Sequence, residues 1–374
     1  MKRTFTLTLA ALMLTGMLAA AEEPAAVTAD ETQSVTETAV TNYTLSLKDA
    51  IELALTDNPQ INAADISIES GKTSLKAAKE ARAKCKGRVN TIAYLNTDYA
   101  VEAAEKQLAL AEKSKEQIKS KISYDVTQKY YNYKLLGHLL EIADSSLALA
   151  NENLSIVNAN YALGRISKIE NDNAALSVEN CESTKNTYLR NADIAKESLK
   201  IALNLKGDAE FTLTDDIDYE AYEAVPQTDA DAAIESRYDM SGLKVQAELA
   251  NKNFNNIKRY SSENTAAYQT AYSSYIQADY TYTNTTKQMK IGIINYYNSI
   301  LSAKDALDIA NMTYDIQSRN YEAGKLKFEM GTISNIELTE LLNKQSSARV
   351  NAENAKLTYK LAVEKYKYEI SIGL

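Results

Sequence analysis

Apolar side chains recur along this chain at alternating intervals of three and four residues, which places them on one face of an α-helix. Because the interval averages 3.5 residues, the pattern predicts long helices that pack against one another as in a coiled coil. Four rows carry this rhythm: Leu140, Ala143, Leu147, Ala150, Leu154, Val157 and Tyr161; Ala174, Val178, Cys181, Tyr188, Ala192, Ala195, Leu199 and Ala202; Leu307, Ala310, Tyr314, Gln317, Tyr321, Gly324 and Phe328; and Leu341, Ala348, Ala352, Ala355, Tyr359, Ala362 and Tyr366.

Local signals divide the rows into helices. The first helix is predicted to begin near Leu47, with Ser46 as its N-cap and Asp49 in the capping-box position. Asn58-Pro59 interrupts it, and helix resumes to about Ala83. Residues 85–96 are the one irregular stretch, and a long helix then runs from about Thr97 to Leu163.

The end of this long helix carries a motif that occurs twice. The segment Gly164–Glu170 (GRISKIE) returns as Gly331–Glu337 (GTISNIE), at an offset of 167 residues, and Tyr130-Tyr131-Asn132 returns at 296–298. In each copy a glycine ends one helix and a serine, with an acid three residues on, caps the next. The chain is therefore predicted to contain two copies of a long helical hairpin. The predicted divisions are a signal peptide (1–21), a flexible leader (22–44), a first repeat (45–206), a connector (207–229) and a second repeat (230–374).

Composition favours unusually long helices. There are only 11 glycines and 3 prolines in 374 residues, and both residue types weaken helix interiors. From about Ala230 to Ala323 no proline occurs, so one helix of roughly 140 Å is possible there. Part of the connector, which contains Phe211 and Leu213, is expected to form a short strand or irregular structure. The net charge is −9 with no basic stripe, which argues against nucleic-acid binding.

The N-terminus has the three parts of a secretory signal peptide: a basic start at Lys2 and Arg3, an apolar run from Leu7 to Leu18, and small residues at 19–21. The alternative is an uncleaved membrane anchor, but the apolar run is short for a membrane span. We therefore expect an exported protein of the cell envelope. Cys85 and Cys181 would lie roughly 90 Å apart in the hairpin, so they are not expected to pair.

Taken together, these features resemble the TolC-type family of outer-membrane efflux proteins. The resemblance rests on the opening segment Leu45–Pro59 (LSLKDAIELALTDNP), on the aromatic-x-x-Gly-x-x-Ser turn at Tyr161–Ser167 and Phe328–Ser334, on the duplicated hairpin and on the signal peptide. It covers about Leu45 to Leu374.

The resemblance implies a homotrimer whose twelve helices close into a hollow tube. Its closed end would meet a periplasmic adaptor protein, and an inner-membrane transporter would drive export. Family members also insert two membrane-spanning strands in each repeat. Here residues 85–98 are too short for two such strands, and the tyrosine-rich stretch 260–286 lacks clean alternation. The fold class is therefore predicted as all-α, a TolC-like α-barrel protomer with the β-barrel strands absent or vestigial, and membrane association is left open.

The hairpin turns are the predicted docking surface for the adaptor. Its residues are Tyr161, Gly164, Arg165, Ser167, Lys168, Phe328, Gly331, Thr332, Ser334 and Asn335. The repeated turn segments GRISKIE and GTISNIE differ at two positions, and the four residues found there are expected to be exposed: Arg165, Lys168, Thr332 and Asn335. The alternative is that these glycines and serines only end and begin helices.

Acidic residues near the turns are a second candidate site. Rings of carboxylates facing a lumen would form an electrostatic gate, with Glu170, Asp172, Glu329, Glu337 and Glu340 as its members. The alternative is ordinary capping and surface charge.

No residue pattern of an enzyme, metal site or cofactor site is found. His138, the only histidine, is interpreted as an ordinary helix residue. The predicted function is a passive duct in a tripartite efflux assembly. The alternative is an exported helical rod that spaces or anchors envelope components without conducting anything.

Overall fold

The computed structural model describes residues 42–85, 91–205 and 209–371, all of which lie in one compact unit, Thr41–Leu374. The predicted signal peptide and nearly all of the predicted leader lie outside the described residues. The elements in chain order are β1 (Asn42–Leu45), α1 (Leu47–Leu55), α2 (Pro59–Ala83), α3 (Ile92–Ala162), α4 (Lys168–Ala202), β2 (Glu210–Leu213), α5 (Pro226–Ser236), α6 (Tyr238–Lys258), α7 (Ala266–Glu329) and α8 (Asn335–Ser371).

Two long helices organise the fold. Helix α3 has 71 residues, about 105 Å, and packs against α2 along its first half and α4 along its second half. Helix α7 has 64 residues and packs in the same way against α6 and then α8. The predicted all-α fold with two tandem repeats of long helical hairpins is confirmed.

The repeats join along a contact between α3 and α8, called here the α3–α8 seam. In this seam Asn153 Nδ2 donates to Thr339 Oγ1 at 3.2 Å, and the hydroxyls of Ser146 and Ser346 are 2.8 Å apart. Because α3 also packs on α4 and α8 also packs on α7, the four helices form a row in the order α4, α3, α8, α7.

The predicted apolar rows form the buried contacts of these hairpins. In each row the residues that face the neighbouring helix are shielded from solvent: Ala143, Ala150 and Val157 in α3; Ala174, Val178 and Leu199 in α4; Leu307, Tyr321 and Gly324 in α7; and Ala348, Ala352, Tyr359 and Tyr366 in α8. Tyr161, the last member of the first row, is instead 42 % exposed at the tip of the hairpin.

The first repeat has a small sheet beside the middle of α3. Strands β1 and β2 pair in parallel, with Tyr43 opposite Phe211 and Leu45 opposite Leu213. The buried Tyr130 hydroxyl donates to the carbonyl of Leu45 and accepts from the amide of Asp215, both at 3.0 Å. One tyrosine of the duplicated motif thus fixes both the segment that enters the first repeat and the segment that leaves it.

Several predicted boundaries were wrong. Strand β1 occupies positions 42–45, so the last residues assigned to the leader are ordered by pairing with β2. Helix α3 begins at Ile92 rather than Thr97, because the hydroxyl of Thr91 accepts a hydrogen bond from the amide of Tyr94. Helix α5 begins at Pro226, inside the predicted connector, since proline suits the first helical turn.

The second repeat does not begin with one continuous helix. Residues 226–329 form three helices, with breaks at Arg237 and at residues 259–265. After the second break Thr265 caps α7 by accepting from the amide of Tyr268 at 3.3 Å. Absence of proline therefore permits a long helix without enforcing one.

Within the described residues, no helix has both the length and the apolarity needed to cross a membrane. Cys85 and Cys181 are both free thiols.

Candidate functional site at the hairpin turns

The first hairpin turn joins α3 to α4 through a helix-ending motif that depends on glycine. Gly164 has a φ of +67°, and its amide donates to the carbonyl of Tyr161 at 2.9 Å. The amide of Arg165 donates to the carbonyl of Asn160, also at 2.9 Å. These two bonds form a Schellman motif, which satisfies carbonyls that the end of the helix leaves unpaired.

The second turn, between α7 and α8, has the same backbone. Gly331 has a φ of +68° and its amide donates to the carbonyl of Phe328, while the amide of Thr332 donates to the carbonyl of Lys327. The Thr332 hydroxyl donates to that same carbonyl at 2.9 Å. The predicted structural similarity of the two turns is therefore confirmed at the level of individual hydrogen bonds.

A capping box begins the next helix after each turn, as predicted. Ser167 Oγ accepts from the amide of Glu170, and the Glu170 carboxylate accepts from the amide of Ser167 at 2.8 Å. Ser334 and Glu337 repeat this arrangement, also with a 2.8 Å bond to the serine amide. The backbone hydrogen bond from Ser167 lowers the pKa of Glu170, because it favours the ionised form.

The side chains of the docking surface divide into exposed and buried groups. Arg165 and Lys168 are exposed and form no ion pair within the described part of the chain, and Thr332 is exposed as well. Asn335, however, is only 8 % exposed, so its predicted exposure was wrong. The reason is that the first turns of α8 face α3, where Thr339, four residues after Asn335, bonds to Asn153.

Phe328 is half-buried and packs with an apolar cluster inside the second turn. The cluster consists of Tyr321, Leu338 and Leu342, with Leu149, Ile333 and Leu341 packed against it. Phe328 therefore stabilises the turn from within, whereas Tyr161 at the matching position of the first turn is exposed.

Sequence reasoning missed an apolar surface on the turns. Each turn exposes one large apolar residue just before its glycine and one just after its capping serine: Leu163 and Ile169 in the first turn, and Met330 and Ile336 in the second. The signal was present in the sequence, since the duplicated motif repeats an isoleucine two residues after each capping serine. Exposed apolar residues grouped in this way are typical of protein contact surfaces.

The acidic residues proposed as a gate are not equivalent. Glu170 and Glu337 are held in capping boxes, and this capping role explains both acidic residues without requiring that they face a lumen. Asp172, Glu329 and Glu340 are exposed and form no ion pair within the described residues.

The outer faces of the terminal helices of the row carry a second apolar surface. On α4, three further exposed apolar residues, Leu176, Ile194 and Ile201, follow one another at spacings of 18 and 7 residues. On α7, Tyr280, Ile291, Ile309 and Ile316 follow at spacings of 11, 18 and 7. These spacings are close to whole helical turns, so each set forms one straight stripe.

His138 is not the ordinary helix residue that the sequence indicated. Its Nε2 lies 2.9 Å from Asp216 Oδ1 and its Nδ1 lies 3.1 Å from Glu353 Oε2. The hydrogen bond with Glu353 raises the pKa of His138, and burial opposes that increase. Within the described residues, no group of His, Cys, Asp and Glu side chains is arranged to hold a metal ion.

The fold is similar to that of solved outer-membrane proteins. No protein-family model and no curated protein matches the sequence. Three solved structures each match over 87 % of this chain. CusC, described in terms of transmembrane channel formation, matches with a TM-score of 0.76 and 12 % identity over 92 % of its own chain. The outer-membrane protein VceC from Vibrio cholerae has a TM-score of 0.71 and 14 % identity over 96 % of its chain, and the outer-membrane channel MtrE from Neisseria gonorrhoeae has a TM-score of 0.72 and 12 % identity over 89 % of its chain.

At these low identities the likeness concerns the fold. The chain has a TolC-like fold, as its sequence resemblance implied. Its structural neighbours are channel proteins rather than enzymes.

Proposed function

We propose that three copies of this chain close into a helical duct of the outer membrane and periplasm, and that the duct serves as the passive conduit of an efflux assembly. A periplasmic adaptor would dock on the hairpin turns, and an inner-membrane transporter would supply the energy. The fold shared with outer-membrane channels supports this function. The observation that carries it is the pair of apolar stripes at the two ends of the helical row.

A row of helices with an apolar stripe at each end can bury both stripes by closing on copies of itself. The stripe on α4 of one copy would meet the stripe on α7 of the next, which is a head-to-tail contact that closes into a ring. This contact would remove the exposed apolar side chains of both stripes from water, which favours association.

The internal repeat supplies the residue pairs for this contact. Because α3 and α7 both run unbroken up to their turns, residues are matched by counting from the turn glycines Gly164 and Gly331, which gives an offset of 167 for α3 with α7 and for α4 with α8. In the α3–α8 seam Tyr124 and Tyr368 stack with ring centroids 4.9 Å apart. Their counterparts are Ile291 on α7 (124 + 167) and Ile201 on α4 (368 − 167), which are 53 % and 77 % exposed. If the contact between copies repeats the seam within a copy, Ile291 meets Ile201 of the neighbouring copy.

Disulfide trapping tests this pairing. In a background with Cys85→Ser and Cys181→Ser, the pair Ile201→Cys and Ile291→Cys should give cross-linked dimers and trimers on oxidation, with no larger species. The matched control combines Ile201→Cys with Ile309→Cys. Position 309 lies on the same stripe as 291 but 18 residues, roughly 27 Å, further along α7, which is too far from position 201 for a disulfide to form. Monomer alone from the first pair would contradict the ring and favour a non-conducting rod.

The hairpin turns are the proposed adaptor-docking surface because they combine exposed apolar residues with unpaired charge. Leu163 and Ile169 would provide apolar contact, and Arg165 and Lys168 would attract acidic groups of the adaptor. Arg165→Glu with Lys168→Glu should weaken adaptor binding and slow its association. The control combines Lys76→Glu on α2 with Lys84→Glu at the C-cap of that helix, which reverses the same charge far from the turns. Equal affinity of both variants would count against docking at the first turn.

The proposal also includes an electrostatic gate near the turns. Since Glu170 and Glu337 have capping roles, Asp172, Glu329 and Glu340 are the members of the set left to face a lumen. Replacing these three by the corresponding amides should reduce cation preference in a conductance measurement. Unchanged selectivity would remove the gate from the account.

A further inference from the structure

The single histidine of this chain lies where the two repeats and the connector meet. His138 belongs to α3, Glu353 to α8 of the second repeat, and Asp216 to the connector that follows β2. The imidazole side chain is 19 % exposed. Its Nδ1 is hydrogen-bonded to the Glu353 carboxylate at 3.1 Å, and its Nε2 lies within ion-pair distance of Asp216 Oδ1, at 2.9 Å.

The other charges around this group come from the same elements. Lys356 on α8 lies near enough to oppose protonation of the imidazole, while it favours ionisation of both carboxylates. Lys134 on α3 acts on Asp216, and Arg349 on α8 acts on Glu353. Both carboxylates have lowered pKa values, so they stay ionised when the histidine titrates.

The hydrogen-bond requirement depends on the protonation state of the ring. Imidazolium carries two N–H donors and can bond both carboxylates at once, whereas neutral imidazole has one donor and one acceptor. In the neutral state one ring nitrogen would present its lone pair to a carboxylate oxygen, and that contact would be repulsive. Only the charged form attracts both carboxylates at once, through the hydrogen bond to Glu353 and the ion pair with Asp216.

We propose that His138 is a proton-dependent latch that holds α3, α8 and the connector together when protonated and releases one of its two carboxylates when neutral. The latch belongs to the α3–α8 seam alone. At the proposed contact between copies, Asp305 takes the place of His138 and Asn186 takes the place of Glu353. An aspartate and an asparagine cannot form a histidine–carboxylate pair. The inference does not depend on the proposed duct, since all three groups lie in one chain.

The direction of the pH effect follows from linkage. A histidine whose pKa is raised in the folded state stabilises the fold fully below its unfolded pKa of about 6.5. That stabilisation is lost as the pH rises through the raised, folded-state pKa. The latch is therefore closed in mildly acidic solution and open in mildly alkaline solution.

The ring itself gives the first test, because one histidine yields one NMR signal. In the intact protein its titration midpoint should lie above 6.5 and should fall in Glu353→Gln and in Asp216→Asn. The matched control is Glu141→Gln, which removes an exposed carboxylate one turn along α3 and should leave the midpoint almost unchanged. A wild-type midpoint at or below 6.5 would overturn the proposal without recourse to any variant.

A double-mutant cycle tests whether the contact tethers the repeats. Thermal midpoints are measured for wild type, His138→Gln, Glu353→Gln and the double variant at pH 5.5 and pH 9. The two substitutions should be coupled at pH 5.5, so that the double variant loses less than the sum of the single losses, and additive at pH 9. The same coupling at both pH values, or none at either, would show that protonation does not operate a latch.

Discussion

At the scale of single residues, two glycines determine where the chain reverses. Gly164 and Gly331 take almost the same left-handed φ, and a Cβ added at either position would meet no atom within 4 Å. The need for glycine is therefore conformational rather than steric, since other L-residues pay a backbone cost at positive φ.

Gly164→Ala should destabilise the fold by about 1 kcal/mol through that backbone cost. The matched control is Gly137→Ala within α3, where an added Cβ also meets open space. There the substitution should stabilise by roughly 0.5–1 kcal/mol, because alanine favours a helix interior. Urea unfolding of both variants measures the two effects, and the same sign for both would contradict the account.

Residues whose role is local could be predicted from the sequence. The glycine turns, the capping serines and their glutamates act on neighbours within a few positions, so the motif alone identifies them. Asn335 and His138 could not be predicted in this way. The buried state of Asn335 depends on how α8 meets α3, and the partner of His138 on α8 lies 215 residues along the chain.

At the scale of elements, each long helix is covered by two shorter helices placed end to end. In the second repeat α8 ends where α6 begins, and a buried ion pair joins them. Arg237 Nη1 lies 2.5 Å from Glu369 Oε2, the two side chains are 5 % and 4 % exposed, and Arg237 also forms a bidentate contact with Asp239. Lys365 provides a second cation, 2.7 Å from Glu369.

Arg237→Ala should destabilise the protein by roughly 3 kcal/mol, because it leaves the Glu369 carboxylate buried without its main partner. The control is Lys290→Ala, which breaks an ion pair with Asp231 whose members are both about half exposed or more. That change should cost less than about 1 kcal/mol. If chemical denaturation gives equal losses, the junction between α6 and α8 is not held by this pair.

The helix breaks of the second repeat show the limit of composition as a guide to elements. The stretch 230–323 contains no proline, yet it breaks at Arg237, where the guanidinium binds both Asp239 and the end of α8. It breaks again before Thr265, whose hydroxyl caps α7. Both breaks lie at residues whose side chains form hydrogen bonds that apolar periodicity does not report.

At the scale of the whole molecule, the two repeats form a row of helices rather than a closed bundle. The α3–α8 seam buries the inner faces of the row, and the stripes on α4 and α7 stay exposed in a single chain. The sequence predicted the repeats because they share a motif at a fixed offset. It also placed the buried Leu199 in the predicted apolar row and left the exposed Ile201 outside it. It did not predict that residues such as Ile201 align as a second, exposed stripe, because that stripe has no partner within one chain.

The central claim is that these stripes close three copies into a ring, and the mass of the purified protein in solution tests it most directly. Light scattering with and without mild detergent should give a particle of three chains, each of 41.3 kDa before any signal peptide is removed. A particle of one or two chains at high protein concentration would contradict the duct, while leaving the two helical hairpins intact.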